Sequence, residues 1–126
     1  MAGLRILLVE DEILIAEDAR IGLERMGYVV VGTAASGPDA VQQAGQLHPD
    51  LILMDVRLQG AMNGVEAARR IRSQADIPII YVTAHASVLA SSENGDRCTC
   101  LAKPYSPTQL QAAIQAVVGT TEHARQ

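Results

Sequence analysis

Acidic side chains, one threonine and one lysine directly follow short apolar segments of this 126-residue chain. The set comprises Glu10, Asp11, Glu12, Asp55, Thr83 and Lys103. Two carboxylates about 4 Å apart repel by roughly 4 kcal/mol near a protein surface, so clustered acids need a cation or a proton. Mg²⁺ takes one or two carboxylates and keeps positions for phosphate oxygens. If these residues meet, they suit phosphoryl transfer to a carboxylate, with the metal and the lysine offsetting charge.

The segments between these positions alternate between apolar runs and helical periodicity, which predicts five β-α units. Strands are predicted over 5–9, 28–31, 51–54, 77–82 and 98–102, and helices over 12–26, 36–47, 65–73, 86–93 and 106–118. Strands that are apolar throughout are typical of a parallel sheet covered on both faces by helices. The predicted fold class is therefore α/β, a flavodoxin-like doubly wound sheet of five parallel strands in order 2-1-3-4-5 with five helices.

The predicted strand order brings the polar residues to the edge of the sheet where ligands bind. Ligands of such sheets bind beyond the carboxyl ends of the strands, at the switch point between the first and third strands. Glu10, Asp11 and Asp55 would lie there, with Thr83 and Lys103 at the next strand ends. Each alone has an ordinary structural role, since acids complement helix dipoles and aspartates end turns. The occurrence of all these residues at one edge is a far more specific indication of a ligand site than any one of them alone.

Composition excludes several other classes of function. The net charge is −4 with no basic stripe, which argues against direct nucleic-acid binding. No apolar run approaches the roughly 20 residues that span a bilayer, and the N-terminus lacks a cleavable signal pattern. Cys98 and Cys100 are expected to be reduced thiols rather than a disulfide or a metal pair. We therefore expect a soluble cytoplasmic domain over 1–119, followed by a polar tail or linker stub at 120–126.

Four segments carry a family resemblance: ILLVEDE, LILMDVRLQGAMNG, YVTAH and LAKPY. With them the chain resembles the receiver domains of two-component response regulators, from about Leu4 to Val118. The resemblance implies that Asp55 accepts a phosphoryl group from a sensor histidine kinase or a phosphotransfer protein. Thr83 would contact a phosphoryl oxygen and Lys103 would pair with the group.

The same resemblance implies a Mg²⁺ site and a conformational switch without metabolic activity. Asp11 would bind Mg²⁺ directly and Glu10 through water, together with Asp55 and the backbone carbonyl of Arg57. Phosphorylation would shift an equilibrium between two conformations. The switch would be read by an effector or a second copy, through the face made by the helix at 86–93, the fifth strand and the last helix. No direct contact with nucleic acid or membrane is expected of this domain.

Five further residues are candidates for modulating the switch. In this family the peptide bond before Pro104 is commonly cis, which X–Pro bonds permit. The family often has an aromatic residue where Cys100 stands, and Tyr105 is the alternative moving aromatic. Ala84 and His85 follow Thr83. His85, at the rim of the site, can like Arg57 control access of water. Replacing Arg57 by alanine is expected to change the autodephosphorylation rate.

Three other functions remain as alternatives. A hydrolase that forms an aspartyl phosphate would need a second carboxylate two residues after Asp55, where this chain has Arg57. A flavin carrier of this fold would need a phosphate-binding loop where Glu10 to Glu12 stand. It would also need aromatic residues to stack on the flavin, and these are scarce in this chain. A phosphorylation-independent binding module would not need the complete acid, threonine and lysine set. The chain can be a stand-alone receiver or part of a longer protein.

Overall fold

Five parallel strands form one sheet in the order β2-β1-β3-β4-β5, as predicted. The computed structural model describes residues 3–58, 62–83 and 98–125, with side chains described at 3–58, 62–83 and 99–118. The elements are β1 (Arg5–Val9), α1 (Ile13–Arg25), β2 (Val29–Ala34), α2 (Gly37–Leu47), β3 (Leu51–Asp55), α3 (Gly64–Gln74), β4 (Ile79–Thr83), β5 (Cys98–Ala102) and α4 (Pro107–Arg125). The helix predicted over 86–93 lies outside the described residues, so four of the five predicted helices are seen.

Two apolar layers hold the sheet between its helices, because successive side chains of a strand point to opposite faces. Leu7 and Val9 pack with α2 and α3, whereas Ile6 and Leu8 pack with α1 and α4. All five residues of β3 and of β4 are buried, which matches their continuous apolar sequences. None of the helices within the described residues has the length and apolar character needed to cross a membrane.

Side-chain caps mark two of the predicted helix starts. Ser36 accepts a hydrogen bond from the Asp39 N–H (3.3 Å), and Ser106 accepts one from the Gln109 N–H (3.1 Å). Both are Ser-capped starts of the predicted kind, each satisfying an N–H that the helix leaves unpaired. At the other end of α2, His48 adopts a left-handed backbone with φ of 50°.

Two predicted boundaries were too narrow. β2 was predicted over 28–31 but extends to Ala34, because its backbone continues to pair with β1 after the β-branched residues end. α4 continues to Arg125, through residues expected to form a polar tail. A helix adds one hydrogen bond for each residue it fixes, so it can extend beyond its apolar stripe. The domain boundary at residue 119 stays a prediction.

Candidate functional site

The register of the sheet aligns the ends of β1, β3, β4 and β5 at one edge. Val9 pairs with Met54, so Glu10 follows β1 beside the end of β3, where Asp55 is the last residue. Asp55 pairs with Val82 and therefore lies one step from Thr83, which ends β4. The Lys103 N–H donates to the Thr83 carbonyl (2.9 Å), which ties β5 to the same edge. The predicted switch point is thus the place where these residues meet.

Three carboxylates form a cluster at this edge. Glu10, Asp11 and Asp55 each offer one oxygen, and these oxygens lie within 4.8 Å of one another. Glu10 and Asp55 are only 8% and 6% exposed, so water solvates their charges poorly. Backbone amides orient two of them: the Glu12 N–H donates to Glu10 Oε2 (3.1 Å), and the Arg57 N–H donates to Asp55 Oδ1 (3.0 Å).

Lys103 is the cation that faces this cluster within the described residues. Its Nζ lies 3.3 Å from Asp55 Oδ2 and 3.6 Å from Glu10 Oε1. Burial of the ammonium opposes its charge, but Asp55 and Glu10 together outweigh burial and raise the Lys103 pKa. The peptide bond between Lys103 and Pro104 is cis, as the resemblance implies. The lysine is therefore held charged against both buried carboxylates.

The electrostatic balance of the cluster remains negative, since one ammonium faces three carboxylates. Burial, reinforced by the charge of Asp55, raises the pKa of Glu10 from 4.5 to about 7. The opposing effects of Lys103 and the Glu12 amide are too small to restore an ordinary value. Without a further cation, the site therefore holds a proton on Glu10 up to neutral pH.

The donor set fits a hard divalent ion. All three groups present oxygen, within a span of 4.8 Å, and no sulfur or imidazole ligand belongs to the cluster found among the described residues. Oxygen donors of this kind favour Mg²⁺ over zinc or copper. A bound cation would also offset the repulsion by Asp55 that, in addition to burial, raises the Glu10 pKa. The chemistry of the residues is thus compatible with the expected magnesium.

The start of α3 was not identified as part of the site from the sequence. Asn63 accepts a hydrogen bond from the Glu66 N–H (2.9 Å), and the Glu66 carboxylate accepts one from the Asn63 N–H (3.1 Å). The pattern Asn-x-x-Glu that marks such a capping box is present in the sequence and could have placed this helix start. Gly64, its first residue, donates its N–H to the Val56 carbonyl (2.9 Å).

The switch candidates are distributed between the two faces of the sheet. Cys100 lies in the middle of β5 and packs with the α2 and α3 layer. Tyr105 packs on the opposite side, with the α1 and α4 layer, and burial raises its pKa. Ala84 and His85 lie outside the described residues. Arg57 is exposed two residues after the buried β3, at a rim position.

A cleft of about 690 Å³ opens the site to solvent between α1 and the start of α4. Glu10, Asp55 and Lys103 line its polar end, and Tyr105 lines it next to them. The rest of the lining is largely apolar, with residues such as Ile15. A group attached to a larger molecule could therefore reach Asp55 from this side.

Comparison with known proteins gives consistent matches along most of the chain. A family model described as the response regulator receiver domain matches residues 6–115. The phyllosphere-induced regulator PhyR of Methylorubrum extorquens is 31% identical over 121 residues, which are 95% of this chain and 45% of PhyR. The transcriptional regulatory protein PdtaR of Mycobacterium tuberculosis is 35% identical over 116 residues, which are 90% of this chain and 56% of PdtaR.

A solved structure agrees with these sequence matches. The crystal structure of the anti-anti-sigma factor PhyR from Bartonella quintana superposes with a TM-score of 0.89 at 31% identity. The match covers 99% of this chain and 51% of that chain. The chain thus spans about half the length of these relatives.

Proposed function

The chain belongs to the response regulator receiver domain family of two-component systems, and we propose that Asp55 is its phosphoacceptor. The observation that carries the proposal is the buried Asp55 carboxylate, held between the Arg57 N–H at 3.0 Å and Lys103 Nζ at 3.3 Å. The Arg57 N–H orients this carboxylate, the Lys103 ammonium lies next to it, and the cleft leaves it open to solvent. Those are the requirements for a nucleophile that attacks phosphorus.

The proposed reaction is a transfer between two side chains of different proteins. An oxygen of Asp55 forms a bond to phosphorus, while the bond between phosphorus and the imidazole nitrogen of a phosphohistidine breaks. The electron pair of the broken bond stays on the imidazole nitrogen, which then takes up a proton. The product is an acyl phosphate on Asp55. A small phosphodonor such as acetyl phosphate would react in the same way, with acetate leaving.

Magnesium is proposed as the ion required for this transfer. Glu10, Asp11, Asp55 and the backbone carbonyl of Arg57 are the proposed protein groups that hold it. When bound, Mg²⁺ supplies positive charge that offsets the negative charge on the transferring phosphoryl group. In this proposal these groups would hold the ion beside the Asp55 carboxylate, where the transferred group arrives.

Lys103 and Thr83 are proposed to act on the transferred group itself. The Lys103 ammonium already lies at the Asp55 carboxylate, so it can pair with a phosphoryl oxygen without a large movement. The Thr83 hydroxyl lies on a buried residue at the neighbouring strand end and is proposed to donate to another phosphoryl oxygen. Hydrolysis of the acyl phosphate by water would return the protein to its initial state, which makes the domain a switch rather than a metabolic enzyme.

The output of the switch is proposed to be a change in protein binding. A sensor histidine kinase or phosphotransfer protein is the proposed donor, and an effector or a second copy is the proposed reader. The proposed reading surface is the face formed by β5, α4 and the segment 86–93. One relative is described as an anti-anti-sigma factor, which is a protein-binding role. Tyr105 is the residue of this chain proposed to move with the phosphorylation state, because Cys100 stands where the family often has the moving aromatic.

Incubation with acetyl phosphate and Mg²⁺, followed by intact-mass measurement, tests the proposal. The wild type is expected to gain one phosphoryl group, and Asp55→Asn is expected to gain none. Asp50→Asn is the matched control, because Asp50 precedes β3 at the opposite edge of the sheet, where it accepts the Arg5 N–H. If the wild type gains no phosphoryl group, or if Asp55→Asn gains as much, the phosphoacceptor is wrong. A phosphorylation-independent binding module would then be the better reading.

A further inference from the structure

The first residue of α3 rests directly on the backbone of the phosphoacceptor. A Cβ added to Gly64 would lie 2.2 Å from the Asp55 carbonyl oxygen and 2.9 Å from Val56 Cα. Both contacts are to main-chain atoms, which have no rotamer to change. The Gly64 N–H also donates to the Val56 carbonyl at 2.9 Å. The helix and the end of β3 therefore approach as closely as only glycine permits.

The helix has little freedom to move away from this contact. Ala67 and Ala68 on its inner face are 0% and 1% exposed, and they belong to the apolar layer under β3. The capping box of Asn63 and Glu66 fixes the turn that leads into the helix. A side chain at position 64 would therefore have to displace the end of β3.

A second close approach holds the chain just before α3. A Cβ on Gly37, the first residue of α2, would lie 2.8 Å from Met62 Cγ and 2.9 Å from the Met62 carbonyl oxygen. The two ends of the connection from β3 to α3 are thus pressed against neighbouring elements. Between them lies Arg57, whose N–H orients the Asp55 carboxylate.

From these contacts we propose that Gly64 is a positioning residue for the Asp55 site. Its missing side chain sets where the Asp55 main chain and the Arg57 amide lie relative to Glu10 and Lys103. Displacement of this backbone would lengthen the 3.0 Å hydrogen bond from the Arg57 N–H to Asp55 Oδ1 and move the carboxylate from its neighbours. The role in metal binding and phosphorylation rests on the proposed function, whereas the role in backbone position does not.

Three glycine-to-alanine variants separate positioning from stability. Gly64→Ala is the test. Gly32→Ala is a matched control, because its Cβ would lie 2.5 Å from Gln43 Oε1 and 2.8 Å from Leu47 Cδ1, in β2 rather than at the site. Gly45→Ala is a second control, since a Cβ there meets nothing within 4 Å inside α2. It is expected to be neutral or stabilising.

The readouts are the amide NMR resonance of Arg57 in metal-free protein and the Mg²⁺ affinity measured by calorimetry. Gly64→Ala is expected to shift the Arg57 resonance and to weaken Mg²⁺ binding by about tenfold or more, as for groups that orient metal ligands. Both controls are expected to keep the wild-type resonance and an affinity within about twofold. An unshifted Arg57 resonance with wild-type Mg²⁺ affinity in Gly64→Ala would overturn the inference, as would an equal loss in Gly32→Ala.

A milder pair of variants applies if Gly64→Ala does not fold. Asn63→Ala removes the cap that holds the same helix start and is expected to shift the Arg57 resonance, while Asn63→Ser keeps a capping oxygen and restores it. No shift in Asn63→Ala would then count against the positioning role. If the wild type itself binds no Mg²⁺, the proposed function fails, and the Arg57 resonance still decides the role of Gly64.

Discussion

Replacing Glu10 by glutamine removes one buried charge from the strand-end cluster while keeping the size of the side chain. The experiment is done in protein kept metal-free by a chelator, because a bound cation would mask the repulsion. The glutamine carbonyl can still accept the Glu12 N–H that Glu10 Oε2 accepts at 3.1 Å. The change therefore isolates the electrostatic effect that burial and Asp55 impose on position 10.

The pKa of Glu10 fixes both the sign and the size of the effect. Its folded-state pKa of about 7 lies above 4.5, the ordinary pKa that applies in the unfolded chain. The folded protein therefore holds the proton more tightly than the unfolded chain. The resulting stability is fully present below about pH 4.5 and is lost as the pH rises through about 7. At about 1.4 kcal/mol per pKa unit, the rise from 4.5 to about 7 corresponds to a loss in the free energy of unfolding of at most about 3.5 kcal/mol. Glutamine does not titrate, so Glu10→Gln should lack this loss.

Urea unfolding, monitored by circular dichroism at about pH 5 and about pH 8, measures the difference in the free energy of unfolding between the variant and the wild type. Glu10→Gln is expected to exceed the wild type by less than about 1 kcal/mol near pH 5 and by up to about 3.5 kcal/mol near pH 8. Glu17→Gln is the control, since Glu17 is exposed on α1 and its hydrogen bond with Arg20 lowers its pKa. That control should gain no stability at pH 8. An equal gain for Glu10→Gln at both pH values, or a loss at pH 8, would refute the electrostatic reasoning.

Three further variants test other parts of the structure. Lys103→Met removes the cation that pairs with Asp55, so the free energy of unfolding of metal-free protein near pH 8, measured in urea, should fall by about 1–3 kcal/mol. An unchanged free energy of unfolding would show that the ion pair does not stabilise the fold. Arg57→Ala, at the exposed rim position, should change the lifetime of the acyl phosphate in a time course of intact mass, and equal lifetimes would contradict that role. Arg5→Ala removes two guanidinium hydrogen bonds of 2.8 Å to main-chain carbonyls at the end of α2, so thermal unfolding should show a loss of about 1–2 kcal/mol in stability. Arg25→Ala on α1 is the control, and an equal loss in that variant would argue that the Arg5 hydrogen bonds do not stabilise the end of α2.

The sequence predicted the strands and the polar residues that follow them because both are local patterns, whereas the sheet order came from the flavodoxin-like fold class that the β-α alternation indicates. Buried parallel strands are apolar along most of their length, and four of the five runs here are followed by a polar residue that the register then places at one edge. Asp55 and Lys103 are 48 residues apart in the chain, yet the order of strands places both at the same edge of the sheet, on either side of the β4 end. The pairing itself, at 3.3 Å, required the structure.

Other features depend on packing that a single sequence does not reveal. Ile13 and Leu14 are 81% and 84% exposed although they are strongly apolar, because the face of α1 that meets the sheet is set by Ala16 and Leu23. The contact of Gly64 with the Asp55 main chain depends on how closely α3 approaches β3. No residue pattern encodes that distance, although the capping box at Asn63 marks where the helix begins.

The two ends of β1 serve separate purposes, which makes their contributions independent. Arg5 begins the strand and closes the end of α2, while Glu10 follows the strand at the opposite edge. Five residues of extended chain span about 16 Å, beyond the distance at which substitutions normally interact. The free-energy changes of Arg5→Ala and Glu10→Gln should therefore add to within about 0.5 kcal/mol in the double variant. Stability lost at one edge of this sheet can thus be restored at the other without mutual interference.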